Sequence, residues 1–144
     1  MPVLSSLFRR LQHHTWTERV TLSATALCCL AMWGALRVCS FATLVRWTGN
    51  TSSRGETGSR ERVNHIVWAV RTVGHDLFPN RPCLPQALAA RFLLARLGRP
   101  TELHIGVRSS EADGIRAHAW LEHEQEVLIG GADAPMHYHV LTAS

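Results

Sequence analysis

A chain of 144 residues, 46% hydrophobic and 18% charged, holds enough apolar material for one core and too little charge to stay disordered. Fifteen Lys+Arg against eleven Asp+Glu leave a formal charge of +4, carried by scattered arginines rather than a basic stripe, and without a nucleic-acid reading motif this excludes nucleic acid as a partner. Four cysteines, three in one apolar stretch and none spaced as a CxxC pair, exclude a disulfide framework and point to the reducing cytoplasm.

Residues 1–47 read as helical. Thr15 or Thr17 can cap a helix ahead of Glu18, and Leu22, Ala26, Cys29, Leu30, Trp33, Leu36 and Leu44 recur at helical spacing. Within this block Val20 to Leu36 is free of charge between Arg19 and Arg37, but Thr21, Ser23, Thr25 and Gly34 interrupt it. A spanning helix wants about 20 apolar residues, so the expectation is a buried helix or one lying against a membrane face through residues 20–45. No A-x-A site follows, which argues against a signal peptide. Residues 48–61, TGNTSSRGETGSRE, read as a polar linker.

Residues 62–144 carry the chemistry. Val63, Ile66, Val67, Val70 and Val73 form a stripe at i, i+3, i+4, i+7, predicting an amphipathic helix that ends near Gly74. After the loop HDLFPNRP, a second helix begins at Cys83. Its Leu84, Ala87, Leu88, Phe92, Leu94, Ala95 and Leu97 cover most of its circumference, so it should be the buried central helix, stopped by Gly98 and Pro100. The period then changes to alternation, with Leu103, Ile105 and Val107 on one face. The turn SSEADG leads to a second strand with Ala117, Ala119 and Leu121 on one face and His118, Trp120 and Glu122 on the other. Strands at Val127 to Ile129 and around Tyr138 to Leu141 complete a small antiparallel sheet, and helices followed by strands make an α+β fold.

Cys83 follows Pro82 at a helix start, where unpaired N–H groups and the helix dipole stabilise a thiolate. A cysteine in an apolar helix is more often a buried core residue, so the reading needs a base. His118 supplies it if its strand packs on that helix, taking the thiol proton and later delivering it to a leaving amine. Trp120, beside His118, either lines a substrate-binding pocket or simply packs. Gln86, one turn into the Cys83 helix, is not assigned to an oxyanion hole, which backbone N–H groups can supply. His118, His123, His137 and His139 lack the spacings of a zinc site, so no metal is expected.

The segment RPCLPQALAARFLLARLGRPTELHIGVR, followed by AHAWLEHEQEVLIGG, resembles the lasso-peptide B2 proteins, transglutaminase-like cysteine peptidases that act as leader peptidases. The resemblance covers roughly 63–141, more loosely 15–47, and rests on the ordered motifs CLxxAL, Leu-Gly-x-Pro, HIGVR and HAW. It implies a transglutaminase-like, papain-like core in which Cys83 attacks the carbonyl at a leader–core junction and His118 is general base and acid. It also implies an acidic third member about a dozen residues after the histidine, where this chain has Gly130 and Gly131. Asp133 is the nearest downstream carboxylate and the candidate; a dyad helped by a backbone carbonyl or water is the alternative. Glu122, four residues from His118 along a strand, is about 13 Å away, beyond hydrogen-bond reach.

The implied partners are a lasso precursor peptide, a separate leader-recognition protein, for which these residues leave no room, and a lasso cyclase of the asparagine-synthetase type. Some relatives are associated with ATP, but no glycine-rich phosphate loop is present and no cofactor is expected from the residues. Two rival readings stay open: an inert transglutaminase-like module that delivers the precursor, favoured by the missing carboxylate, and a membrane-associated adaptor.

Overall fold

The computed structural model describes residues 15–50, 59–77, 83–110 and 114–143. Most of the polar linker (51–58), much of the loop ahead of Cys83 (78–82) and part of the first hairpin turn (111–113) lie outside the described residues.

Helix α1 (Trp16–Val38) opens on a capping box, the Glu18 carboxylate accepting from the Thr15 N–H at 2.8 Å and its hydroxyl at 3.0 Å. One face of α1 is buried through Leu22, Thr25, Cys29 and Met32, while Val20, Leu27 and Leu30 are exposed on the other side and Trp33 is exposed at the margin of the buried face. The expected burial of this helix therefore holds for one face. Helix α2 (Phe41–Thr48) is capped by Ser40, whose hydroxyl accepts from the Thr43 N–H.

In α3 (Arg60–Leu77) the predicted stripe is the buried one, through Val63, Val67, Val70 and Val73. The helix runs past Gly74 instead of stopping there. A Cβ at Gly74 would collide with the Gln86 side chain, so glycine serves close packing between two helices rather than termination. Helix α4 (Cys83–Arg96) is the central one. Its Ala87, Leu88, Ala89, Ala90 and Leu94 are buried against α1, α2, α3 and the sheet, and each of the two leucines contributes about 1.5–3 kcal/mol by leaving water. It ends in a Schellman motif: Gly98, at φ 70°, donates to the Ala95 carbonyl and Arg99 to that of Leu94.

The sheet comprises β1 (Glu102–Ser110), β2 (Gly114–His123), β3 (Glu126–Ile129) and β4 (His139–Ala143), antiparallel throughout and ordered β3-β2-β1-β4. Glu124 and Gln125, at φ 49° and 68°, form the tight β2–β3 turn. Leu103, Ala119 and Leu121 join the helices in the core, while His104, Gly106, His118 and Trp120 occupy the opposite face. β3 and β4 lie on opposite edges, so residues 130–138 must cross that outer face. This connection, which includes the helical turn α5 (Ala134–His137), covers Trp120 and sets Tyr138 beside it. The result is an α+β domain with helices on one side of the sheet and a strap on the other.

Candidate active site

Two strand lengths create the site. β3 has only four residues and ends opposite Leu121, whereas β2 continues outward through Ala119 and His118, leaving its edge open on that side. The N-terminus of α4 reaches this open edge, and the Ala119 N–H donates to the Cys83 sulfur at 3.4 Å. Burial on its own would push the Cys83 thiol up. The hydrogen bond with His118, the Ala119 N–H, the imidazole charge and the residue's own N–H together outweigh it and hold the thiol below its ordinary 9.0. Cys28 and Cys29, with burial and no such donors, are pushed up to about 11 and about 12. Cys83 is thus set apart from these two as the candidate nucleophile.

His118 is fixed from the opposite side. Its Nε2 lies 2.6 Å from the Gly130 carbonyl oxygen, and a carbonyl has no proton to give, so Nε2 carries the hydrogen and donates. Nδ1 is then the basic nitrogen left for the thiol. The bond to Cys83 raises the His118 pKa above its ordinary 6.5; burial opposes this, and the Gly130 carbonyl and the charges of Cys83 and Asp133 reinforce it. A lowered thiol beside a raised imidazole favours the thiolate–imidazolium pair. Tyr138 stacks on the ring at a centroid distance of 4.9 Å.

Asp133 does not take the position expected of it. Its carboxylate is 73% exposed and lies 3.5 Å from His137, while the bond an acidic third member would accept is made by Gly130. Asp133 acts on His118 through charge alone, as the smallest contribution to the raised pKa. Trp120 is also placed differently from the expected substrate contact. At 0% exposure it is absent from the cavity wall, its indole N–H donating to Glu122 at 2.8 Å and its ring roughly parallel to those of His104 and His118. It forms the floor beneath the histidine. Among the described residues no group of three or more His, Cys, Asp or Glu gathers as metal ligands; His123 approaches the Pro100 carbonyl and His137 pairs with Asp133.

The Cys83–His118 pair opens into a cavity of about 350 Å³ whose wall includes Arg71, Gly74, His75 and Gln86. Arg71 is tethered there by donating to the Leu128 carbonyl at 2.7 Å. Sequence reasoning weighed Gln86 but missed Arg71, Gly74 and His75 as wall, because α3 lies remote in the chain and reads only as an amphipathic helix. It treated Tyr138 merely as strand and Gly130 as a missing carboxylate. The available signal was the Gly-Gly pair after a short strand, which marks close backbone approach: a Cβ at Gly130 would lie 2.5 Å from that of Trp120.

The site brings together a helix-start thiol, an imidazole with a fixed tautomer and an open cavity, the parts that nucleophilic acyl transfer uses. Comparison with curated proteins and with solved structures found no match to either. The family described as the Transglutaminase-like superfamily, which includes cysteine peptidases and transglutaminases, matches residues 26–143, from α1 to the last strand, and the chain belongs to it.

Proposed function

We propose that this chain is a cysteine peptidase that removes the leader from a lasso-peptide precursor. The observation that carries the peptidase reading is the 2.6 Å contact between His118 Nε2 and the Gly130 carbonyl, which supports Nδ1 as the base facing Cys83. The leader-peptidase reading rests on the ordered CLPQAL, HIGVR and HAW motifs.

In this mechanism the Cys83 proton passes to His118 Nδ1 and the sulfur attacks the carbonyl carbon at the leader–core junction, forming a C–S bond. The tetrahedral intermediate collapses by breaking the C–N bond, and Nδ1 gives its proton to the leaving amine of the core peptide. Water, deprotonated by Nδ1, then attacks the thioester, releasing the leader as a carboxylic acid and restoring the thiol. The proposed partners are the precursor, a separately encoded leader-recognition protein and an asparagine-synthetase-type cyclase that consumes the freed amine. The Gly130 carbonyl takes the hydrogen bond that the missing carboxylate would accept, which supports the peptidase reading over an inert delivery module.

A peripheral membrane contact at the cytoplasmic face completes the proposal. α1 is long and apolar enough to cross a membrane, yet its inner face is committed to the protein core, so the reading is a helix lying in the interface. Exposed Val20, Leu27 and Leu30 form its outer face, with Trp33 at the margin, where the Arg37 guanidinium sits 4.2 Å from the Trp33 ring centroid.

The test is cleavage of the precursor in the presence of the leader-recognition protein, read by mass spectrometry. Loss of the cut in both Cys83→Ala and His118→Ala, with wild type active, supports the peptidase. Equal behaviour of wild type and Cys83→Ala refutes it in favour of a precursor-binding module.

A further inference from the structure

Gln86 stands three residues after the nucleophile on α4, so the two side chains leave the same side of the first turns, and both line the catalytic cavity. Its carboxamide packs directly over Gly74. A Cβ added to Gly74 would meet the Gln86 Cδ at 2.3 Å, Oε1 at 2.5 Å and Nε2 at 2.6 Å, so the amide occupies the space that a side chain at position 74 would fill. The carboxamide makes no hydrogen bond to a described residue, and its polar atoms are not sealed from the cavity. An amide whose donors no described residue engages therefore shares the cavity with the Cys83 thiol.

Two backbone donors, Ala119 N–H and Cys83 N–H, act on the sulfur and stabilise charge while it resides there. As the C–S bond forms, that charge moves to the former carbonyl oxygen, which needs a donor aimed at it. Building on the peptidase reading above, we propose that Gln86 is a catalytic residue whose Nε2–H donates to the oxyanion of the tetrahedral intermediate, and that Gly74 positions it. The amide transfers no proton. The negative charge passes from sulfur to oxygen as the C–S bond forms and returns to the carbonyl π bond as the C–N bond breaks.

The experiment compares wild type, Gln86→Ala and Gly74→Ala in three measurements: precursor cleavage, inhibition by a leader peptide ending in an aldehyde, and alkylation of Cys83 by iodoacetamide. The aldehyde forms a hemithioacetal whose oxygen resembles the oxyanion; alkylation forms none. For Gln86→Ala the expected result is a fall in kcat of roughly 10²–10³ with little change in KM, the size seen for loss of one oxyanion donor. Aldehyde affinity should fall with kcat, while the alkylation rate stays near that of wild type. Gly74→Ala should follow the same pattern because it displaces the amide. Wild-type kcat and aldehyde affinity in Gln86→Ala overturn the proposal, as does an alkylation rate that falls in parallel, which would mark a structural role. A wild-type protein that alkylates but neither cleaves nor binds the aldehyde overturns the peptidase reading itself, and the proposal with it.

Discussion

Replacing Asp133 with Asn separates two accounts of how His118 is oriented. If Asp133 were the acidic member of a triad, its amide would select the wrong imidazole tautomer, and the corresponding change in a serine protease costs roughly 10⁴ in kcat. The structure predicts a far smaller effect. The Nε2–H bond is made to the Gly130 carbonyl, whereas the Asp133 carboxylate is 73% exposed and lies 3.5 Å from His137. Exposed charge interactions are worth about 0–1 kcal/mol after solvent screening, so Asp133→Asn should lower kcat/KM by no more than about 5-fold. Gly130→Ala is the opposing case. Its φ of 105° and a Cβ 2.5 Å from that of Trp120 force the carbonyl to move, and a hydrogen bond to a charged group is worth about 1.5–3 kcal/mol, or roughly 10–150-fold in rate. Cleavage kinetics normalised to folded protein by circular dichroism decide the matter. A loss of 100-fold or more in a folded Asp133→Asn protein, with Gly130→Ala nearly active, would refute the carbonyl account.

Alkylation of Cys83 should rise with pH through a midpoint below the ordinary 9.0, and His118→Ala should move that midpoint upward by removing the largest stabilising contact. Peptide cleavage should add an alkaline limb above 6.5, because the imidazolium that protonates the leaving amine is lost only as pH passes the raised His118 pKa; a rate still rising well beyond the alkylation plateau would contradict this. Under limiting iodoacetamide near neutral pH, peptide mapping should find label at Cys83 ahead of Cys28 and Cys29, whose thiols burial pushes to about 11 and about 12. Trp120→Ala should cost about 3–5 kcal/mol of stability, seen as a large drop in Tm, because it empties a fully buried site under the strap. Leu27→Asp, on the exposed face of α1, should leave Tm nearly unchanged while abolishing co-sedimentation with anionic vesicles; retained sedimentation would sink the membrane contact.

Much of this architecture is legible in the chain because it depends on local pattern. The valine stripe of α3, the apolar circumference of α4 and the alternation of β1 and β2 each declare an element, and Gly98 marks the end of α4 where the Schellman bonds form. Cys83 and His118 could be nominated separately by helix-start chemistry and strand position. Their meeting could not, since it depends on β3 being too short to cover the edge of β2 at Ala119. For Trp120 the sequence leaves pocket lining and simple packing both open, because alternation shows only that it shares the face of His118. It cannot show that residues 130–138 cross that face and bury it.

The same crossing explains why the bond expected from Asp133 is made by a backbone carbonyl instead. A chain leaving β3 for the far edge of the sheet must turn over the outer face at once, and Gly130, the first residue after β3, makes that turn at φ 105° against Trp120. The turn points a backbone carbonyl at His118, and a carbonyl accepts only from a nitrogen that bears hydrogen, so it selects the tautomer a carboxylate would select. What it cannot contribute is a full negative charge. The bond to Cys83 is therefore the first cause of the raised His118 pKa, ahead of the Gly130 carbonyl and the Asp133 charge. Removing Cys83 should consequently return His118 toward an ordinary titration: in Cys83→Ala, the histidine followed by nuclear magnetic resonance should titrate at lower pH than in the wild type. An unchanged midpoint would mean that the thiolate is not its principal partner.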